Sequence, residues 1–120
     1  MRRDMDLVRD VLKAVADCEA GTLDAPVLAS EERPFQLVAY HVDIMEQAGL
    51  VRANVQRSWG GSYVLARVDS LTWAGQDFLA AVSNDGLWAQ AKLRVAKLAG
   101  EVSFETIKAV AVRLASDMLA

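Results

Sequence analysis

The chain has 120 residues, 53% of them hydrophobic, with a net charge of −3 and a pI near 5.1. That size and apolar content fit a single folded domain and exclude a disordered chain. With one cysteine, Cys18, and one histidine, His41, an internal disulfide framework is excluded and a zinc site lacks its usual ligands.

No apolar run reaches the roughly 20 residues that span a bilayer. The opening MRRDMDLVRD carries no secretory apolar segment. The expectation is a cytoplasmic protein with no membrane partner. The acidic balance weighs against nucleic acid, since phosphate binding draws on cations, although a local patch still acts within a Debye length of ~8 Å.

Residues 4–19 read as a first helix, with Leu7, Val8, Val11, Leu12, Val15 and Cys18 at three- and four-residue spacing. Cys18 is expected to fill the core, and Gly21 to stop the helix. Residues 22–33 hold an extended piece or turn around Pro26, with room for only a short second helix or none. Ser30 can cap the next helix, or that helix can begin at Pro34.

The central helix runs to about Ala48. Its apolar arc holds Leu37, Val38, His41, Val42, Ile44, Met45 and Ala48; the opposite stripe holds Gln36, Tyr40, Asp43 and Gln47. Gly49 ends it in the left-handed conformation and Leu50 returns to the core. Strands follow at Leu50–Val55 and Ser62–Val68, joined by Arg57-Ser58-Trp59-Gly60-Gly61. Their alternation is only moderate and leaves the register open.

Asp69 or Ser70 is expected to cap a third helix through Leu71, Trp73, Ala74, Phe78, Leu79 and Val82. A fourth helix spans Leu87–Leu98 and ends at Gly100. Ser103 caps a fifth, whose stripe is Phe104, Ile107, Val110, Ala111, Leu114 and Met118. The fold class is α+β. A winged helix-turn-helix core with a two-stranded wing occupies residues 1–68, and added helices occupy residues 69–120 of the one domain.

Three segments carry a resemblance: MRRDMDLVRDVL, YHVDIMEQAGLV and LTWAGQDFLAAVSNDGLW. In this order they resemble the bacterial and phage family known as domain of unknown function 2513. The resemblance implies a winged-helix core with C-terminal helices. It implies no activity. The genomic setting of its members suits regulation or phage–host conflict. Pro34 within the usual helix start and the alanine-rich C-terminal half depart from the family pattern.

A DNA-reading helix would place Gln36, Tyr40 and Gln47 in the major groove, with wing arginines Arg52, Arg57 and Arg67 on phosphate. The same stripe reads equally as solvated or covered. It has no Lys or Arg, and Asp43 and Glu46 oppose phosphate. Trp59 at the turn either folds back or serves as a protein-interface anchor or base-stacking group. Arg2, Arg3, Lys92, Arg94 and Lys97 form a positive patch only if the fold gathers them. His41 reads as a hydrogen-bonded core residue. No nucleophile–base pair, carboxylate pair or phosphate-binding glycine loop is present, so no catalytic residue, cofactor or metal is expected.

The sequence therefore predicts a small binding module, first a DNA-associated regulator of bacterial or phage origin on double-stranded DNA. The alternative is a protein-binding winged helix, such as a phage-encoded inhibitor of a host defence complex or an adaptor. In either, Phe104, Ile107, Leu114 and Met118 offer a stripe for a homodimer through the C-terminal helix.

Overall fold

The computed structural model describes residues 1–96 and 104–119. The chain is α+β and divides into two units, Met1–Gln76 and Asp77–Ala120. The first holds α1 (Met5–Asp17), β1 (Leu23–Asp24), a 3₁₀ turn (Ala25–Leu28), α2 (Phe35–Gln47), β2 (Val51–Arg57) and β3 (Tyr63–Leu71). Helix α3 (Trp73–Val82) begins in it and ends in the second unit, which adds α4 (Asp85–Ala96) and α5 (Phe104–Leu119).

Helix α1 starts where Asp4 accepts from the N–H groups of Asp6 and Leu7, at 2.9 and 3.4 Å. Leu7, Val8, Val11, Leu12 and Val15 form its buried stripe. Cys18 does not join that stripe. Its backbone is already extended, which swings the side chain off the helical period; the thiol is half-buried and donates to the Thr22 carbonyl at 2.9 Å.

The short segment after β1 has space for only the single 3₁₀ turn, opened by Pro26. Ser30 does not cap α2. It closes a turn with Arg33, accepting from its N–H at 3.0 Å and donating to its carbonyl at 2.8 Å. Pro34 stands at the helix start, and its carbonyl accepts from Leu37 and Val38. At the exit, Gly49 has φ 79°; its N–H donates to Glu46 and that of Leu50 to Met45. This paired closure needs a left-handed residue, which glycine adopts without steric cost.

The sheet is antiparallel in the order β1-β3-β2. Pairing runs Arg52↔Ser70, then Ala53↔Val68, and Gln56↔Leu65, then Arg57↔Tyr63. Asp69 and Val64 are thus extra residues in β3. Each bulge restores the side-chain phase. Val51, Ala53, Val55, Tyr63, Ala66, Val68 and Leu71 consequently share one face, while Arg52, Asn54, Gln56, Leu65 and Arg67 share the other. Helix α2 packs against both long strands.

Strand β3 runs on to Leu71, so neither Asp69 nor Ser70 caps α3. Thr72 does: its hydroxyl accepts from the Gly75 N–H at 3.0 Å and donates to the Gly49 carbonyl, while its N–H donates to Leu50 at 3.0 Å. Trp73 at the first position of α3 points outward and is 85% exposed, although the helical pattern assigned it to the apolar stripe.

In the second unit Asn84 caps α4, accepting from the Leu87 N–H at 3.0 Å. Helices α4 and α5 pack on each other. Phe78, Ala81, Val82, Trp88, Ala91, Ile107, Ala111 and Leu114 are buried. The expected Gly100 stop and Ser103 cap, with Lys97 and Leu98, lie outside the described residues, as do the side chains of Phe104 and Met118. Among the described residues no helix is long and apolar enough to cross a membrane, and no His, Cys, Asp and Glu cluster could hold a metal ion.

Candidate interaction surface

The hairpin β2–β3 is fastened to α2 at one end. Gln36, the second residue of the helix, donates from Nε2 to the Tyr63 carbonyl at 2.8 Å, and its Oε1 accepts from the Tyr63 N–H at 2.9 Å. The side-chain amide thus occupies both backbone groups of one residue, as a neighbouring strand would. Its polar atoms are spent inside the fold and are not free for a base edge.

Two turns later Asp43 meets the same strand end. The Tyr63 hydroxyl donates to Asp43 at 2.7 Å and Arg57 pairs with it at 3.0 Å. The Arg57 guanidinium lies 4.4 Å from the Tyr63 ring centroid and also donates to the Tyr63 hydroxyl. Partial burial pushes the Asp43 carboxyl up, but donors from Tyr63, Gln47 and Arg57 outweigh it and hold Asp43 below the ordinary carboxylate range. Burial, then the Asp43 hydrogen bond, raises Tyr63.

The remaining candidates are dispersed. Gln47 is exposed and donates to Asp43 at 3.3 Å. Tyr40 is half-buried, edge-on to His41. Arg67 pairs with Asp69 at 2.8 Å, and Asp24 stands opposite it across the strands. Arg52 is exposed on the outer face and, among the described residues, has neither a carboxylate nor a hydrogen-bond partner. Around the start and end of α2 the exposed charges are Glu31, Glu32 and Glu46.

Trp59 does not fold back. At the hairpin tip it is 109% exposed. The other proposed interface residues differ: Ile107 and Leu114 are buried within the single chain. Arg2 and Arg3 belong to the first unit and Lys92 and Arg94 to the second. Lys92 lies 5.8 Å from the Trp88 ring centroid.

His41 is fully buried. Its Nδ1 lies 2.8 Å from the Leu37 carbonyl, which can only accept, so Nδ1 carries the proton. Nε2 then accepts from the Asp4 N–H at 2.8 Å, joining the first turn of α1 to the middle of α2. Burial lowers its pKa below the ordinary value.

In the sequence Tyr63 carries no signal beyond its place in a strand, and Asp43 reads only as an obstacle to DNA. The legible signal was a carboxylate on a helix beside a hairpin rich in arginine.

Fold and site together define a small α+β protein that displays a hairpin anchored by its own central helix. The chain belongs to the family described as Hypothetical protein (DUF2513), matched over residues 2–101. It is similar to an uncharacterized protein of Haemophilus influenzae (strain ATCC 51907 / DSM 11121 / KW20 / Rd), 32% identical over 122 residues and covering 100% of both chains. No solved structure matches.

Proposed function

We propose that residues 1–76 form a winged-helix-type binding module, not an enzyme, and that the module engages a partner protein through its hairpin. The observation that carries this reading is Trp59. A large aromatic held in water on a short turn contributes nothing to its own core, yet such residues anchor protein interfaces. The Gln36 and Asp43 contacts fix the hairpin beforehand, so binding at the tip requires little further ordering of the chain.

The arrangement of charge supports a protein partner over DNA. The central helix has no cation, its flanks are acidic, and Arg57 and Arg67 are held by carboxylates. A DNA-associated regulator is the second reading. It is favoured by the helix–turn–helix–hairpin order and by Arg52, with Tyr40 and Gln47 as further contacts.

The test compares capture from a bacterial lysate by the wild-type chain and by Trp59→Ala at two salt concentrations, beside binding to mixed-sequence duplex DNA. The protein reading expects a species retained at both salts, lost with Trp59→Ala, and no duplex binding. Duplex binding that falls steeply with salt and weakens with Arg52→Glu would overturn it in favour of the regulator.

A further inference from the structure

We propose that the free edge of β2 takes up an extended acidic segment of the partner protein as an added strand, with Arg52 pairing its carboxylates. This rests on the protein-binding reading above and supplies its mode and chemistry.

The two sides of the sheet are treated differently. Beyond β3, the side away from β2 is occupied by β1 at Val68 and Arg67 and by the Gln36 amide at Tyr63. Beyond β2 there is no counterpart: among the described residues, no backbone hydrogen bond joins Val51–Arg57 to any segment other than β3. Backbone donors and acceptors along such an edge form a template for another strand. Natural edges are often blunted by proline or bulges. Strand β2 has no proline, and both extra residues, Val64 and Asp69, lie in β3. The open strand is therefore the regular one.

Charge selects the occupant. The β2 sequence VRANVQR contains two arginines and no carboxylate. On the outer face an added strand would lie beside Arg52, Asn54 and Gln56. Opposite charges across neighbouring strands attract and like charges repel. Arg33, Arg57 and Arg67 each have a carboxylate of this chain, whereas Arg52 has none among the described residues. A second copy does not supply one. An antiparallel pair of β2 strands centred on Asn54 sets Arg52 against Gln56 of the other copy and leaves the arginine uncompensated. A segment carrying Glu or Asp at alternate positions satisfies it.

The experiment titrates the full chain with two seven-residue peptides, one alternating valine with glutamate and the other valine with lysine. Backbone amide resonances are followed by NMR. The expected result is saturable shifts confined to Val51–Arg57 and their β3 neighbours with the glutamate peptide, and at least about tenfold weaker binding of the lysine peptide. Arg52→Glu, an exposed change that keeps the fold, should reverse the preference; Arg52→Gln should abolish it. Equal binding of both peptides, shifts located elsewhere, or no shift at millimolar peptide would overturn the proposal. So would protection of the β2 amides that grows with protein concentration alone, which would assign the edge to a second copy. Loss of partner capture with Trp59→Ala, combined with an unresponsive β2, would retain the hairpin-tip reading while this proposal falls.

Discussion

Gln36 hydrogen-bonds both the N–H and the C=O of Tyr63, so one side-chain amide from α2 stands in for a strand at the sheet's margin. Gln36→Ala should therefore cost about 2–3 kcal/mol, because it leaves two part-buried backbone groups without partners. Gln36→Glu keeps an acceptor for the N–H but sets a carboxylate against the Tyr63 carbonyl, so it should rescue little. Denaturant midpoints of the two variants check this, with an unchanged slope showing that compactness is retained.

His41 makes stability depend on pH. Its folded pKa lies below the ordinary value of about 6.5, so the unfolded chain takes up the proton first. Stability should be full above about pH 6.5 and decline as pH falls towards the folded pKa, by at most about 1.4 kcal/mol per pH unit from this group. Protonation would turn Nε2 into a donor facing the Asp4 N–H. The charged groups around it are Asp4, which favours protonation, and Arg33, which opposes it and is itself paired with Asp10 at 2.6 Å. Unfolding measured from pH 5 to 8 should show this slope in the wild type and lose it in His41→Leu.

Gly75 tolerates no side chain. A Cβ there would lie 2.0 Å from the Leu50 carbonyl oxygen, a backbone atom already accepting from Thr72. Gly75→Ala should destabilise the first unit by about 1–3 kcal/mol, despite alanine's better helix propensity. Thermal unfolding of the variant is the measurement. A gain in stability would contradict the packing.

Trp59 and Trp73 are both exposed, and neither supports the core. Trp59→Ala and Trp73→Ala should each stay within about 0.5 kcal/mol of wild type. Chemical denaturation followed by circular dichroism tests this without relying on tryptophan emission. Such neutrality is what makes Trp59→Ala a clean probe of partner binding.

The helices were legible because their burial is periodic. Val8, Val11, Leu12 and Val15, or Val38, His41, Val42 and Met45, fall on one face by spacing alone. The strands were less so, and the bulges at Val64 and Asp69 explain it. Each breaks the alternation in sequence while preserving it in space. Helix caps misled for a related reason. Ser30 and Asp69 have suitable chemistry, but the turn at Arg33 and the continuing β3 ladder take those positions first. Trp73 had the right spacing and the wrong side, since a first-turn residue has only part of a helix to define its face. At the candidate site, Gln36 and Asp43 were placed on the correct stripe. What could not be read was that the hairpin returns to that stripe, a contact between residues far apart in sequence.

Thr72 holds Gly49 and Leu50, and thereby closes the chain on itself where it leaves α2 and enters α3. Everything between is an excursion with a sealed base, held a second time by Gln36 where the strands end at Tyr63. Past that second fastening only Ser58–Ser62 remain, joined by the Ser58 and Gly61 backbone bonds. Chain length at this tip is thermodynamically insulated from the rest of the unit. Insertions there would cost the fold little, and on the protein-binding reading proposed above they would alter what the hairpin meets.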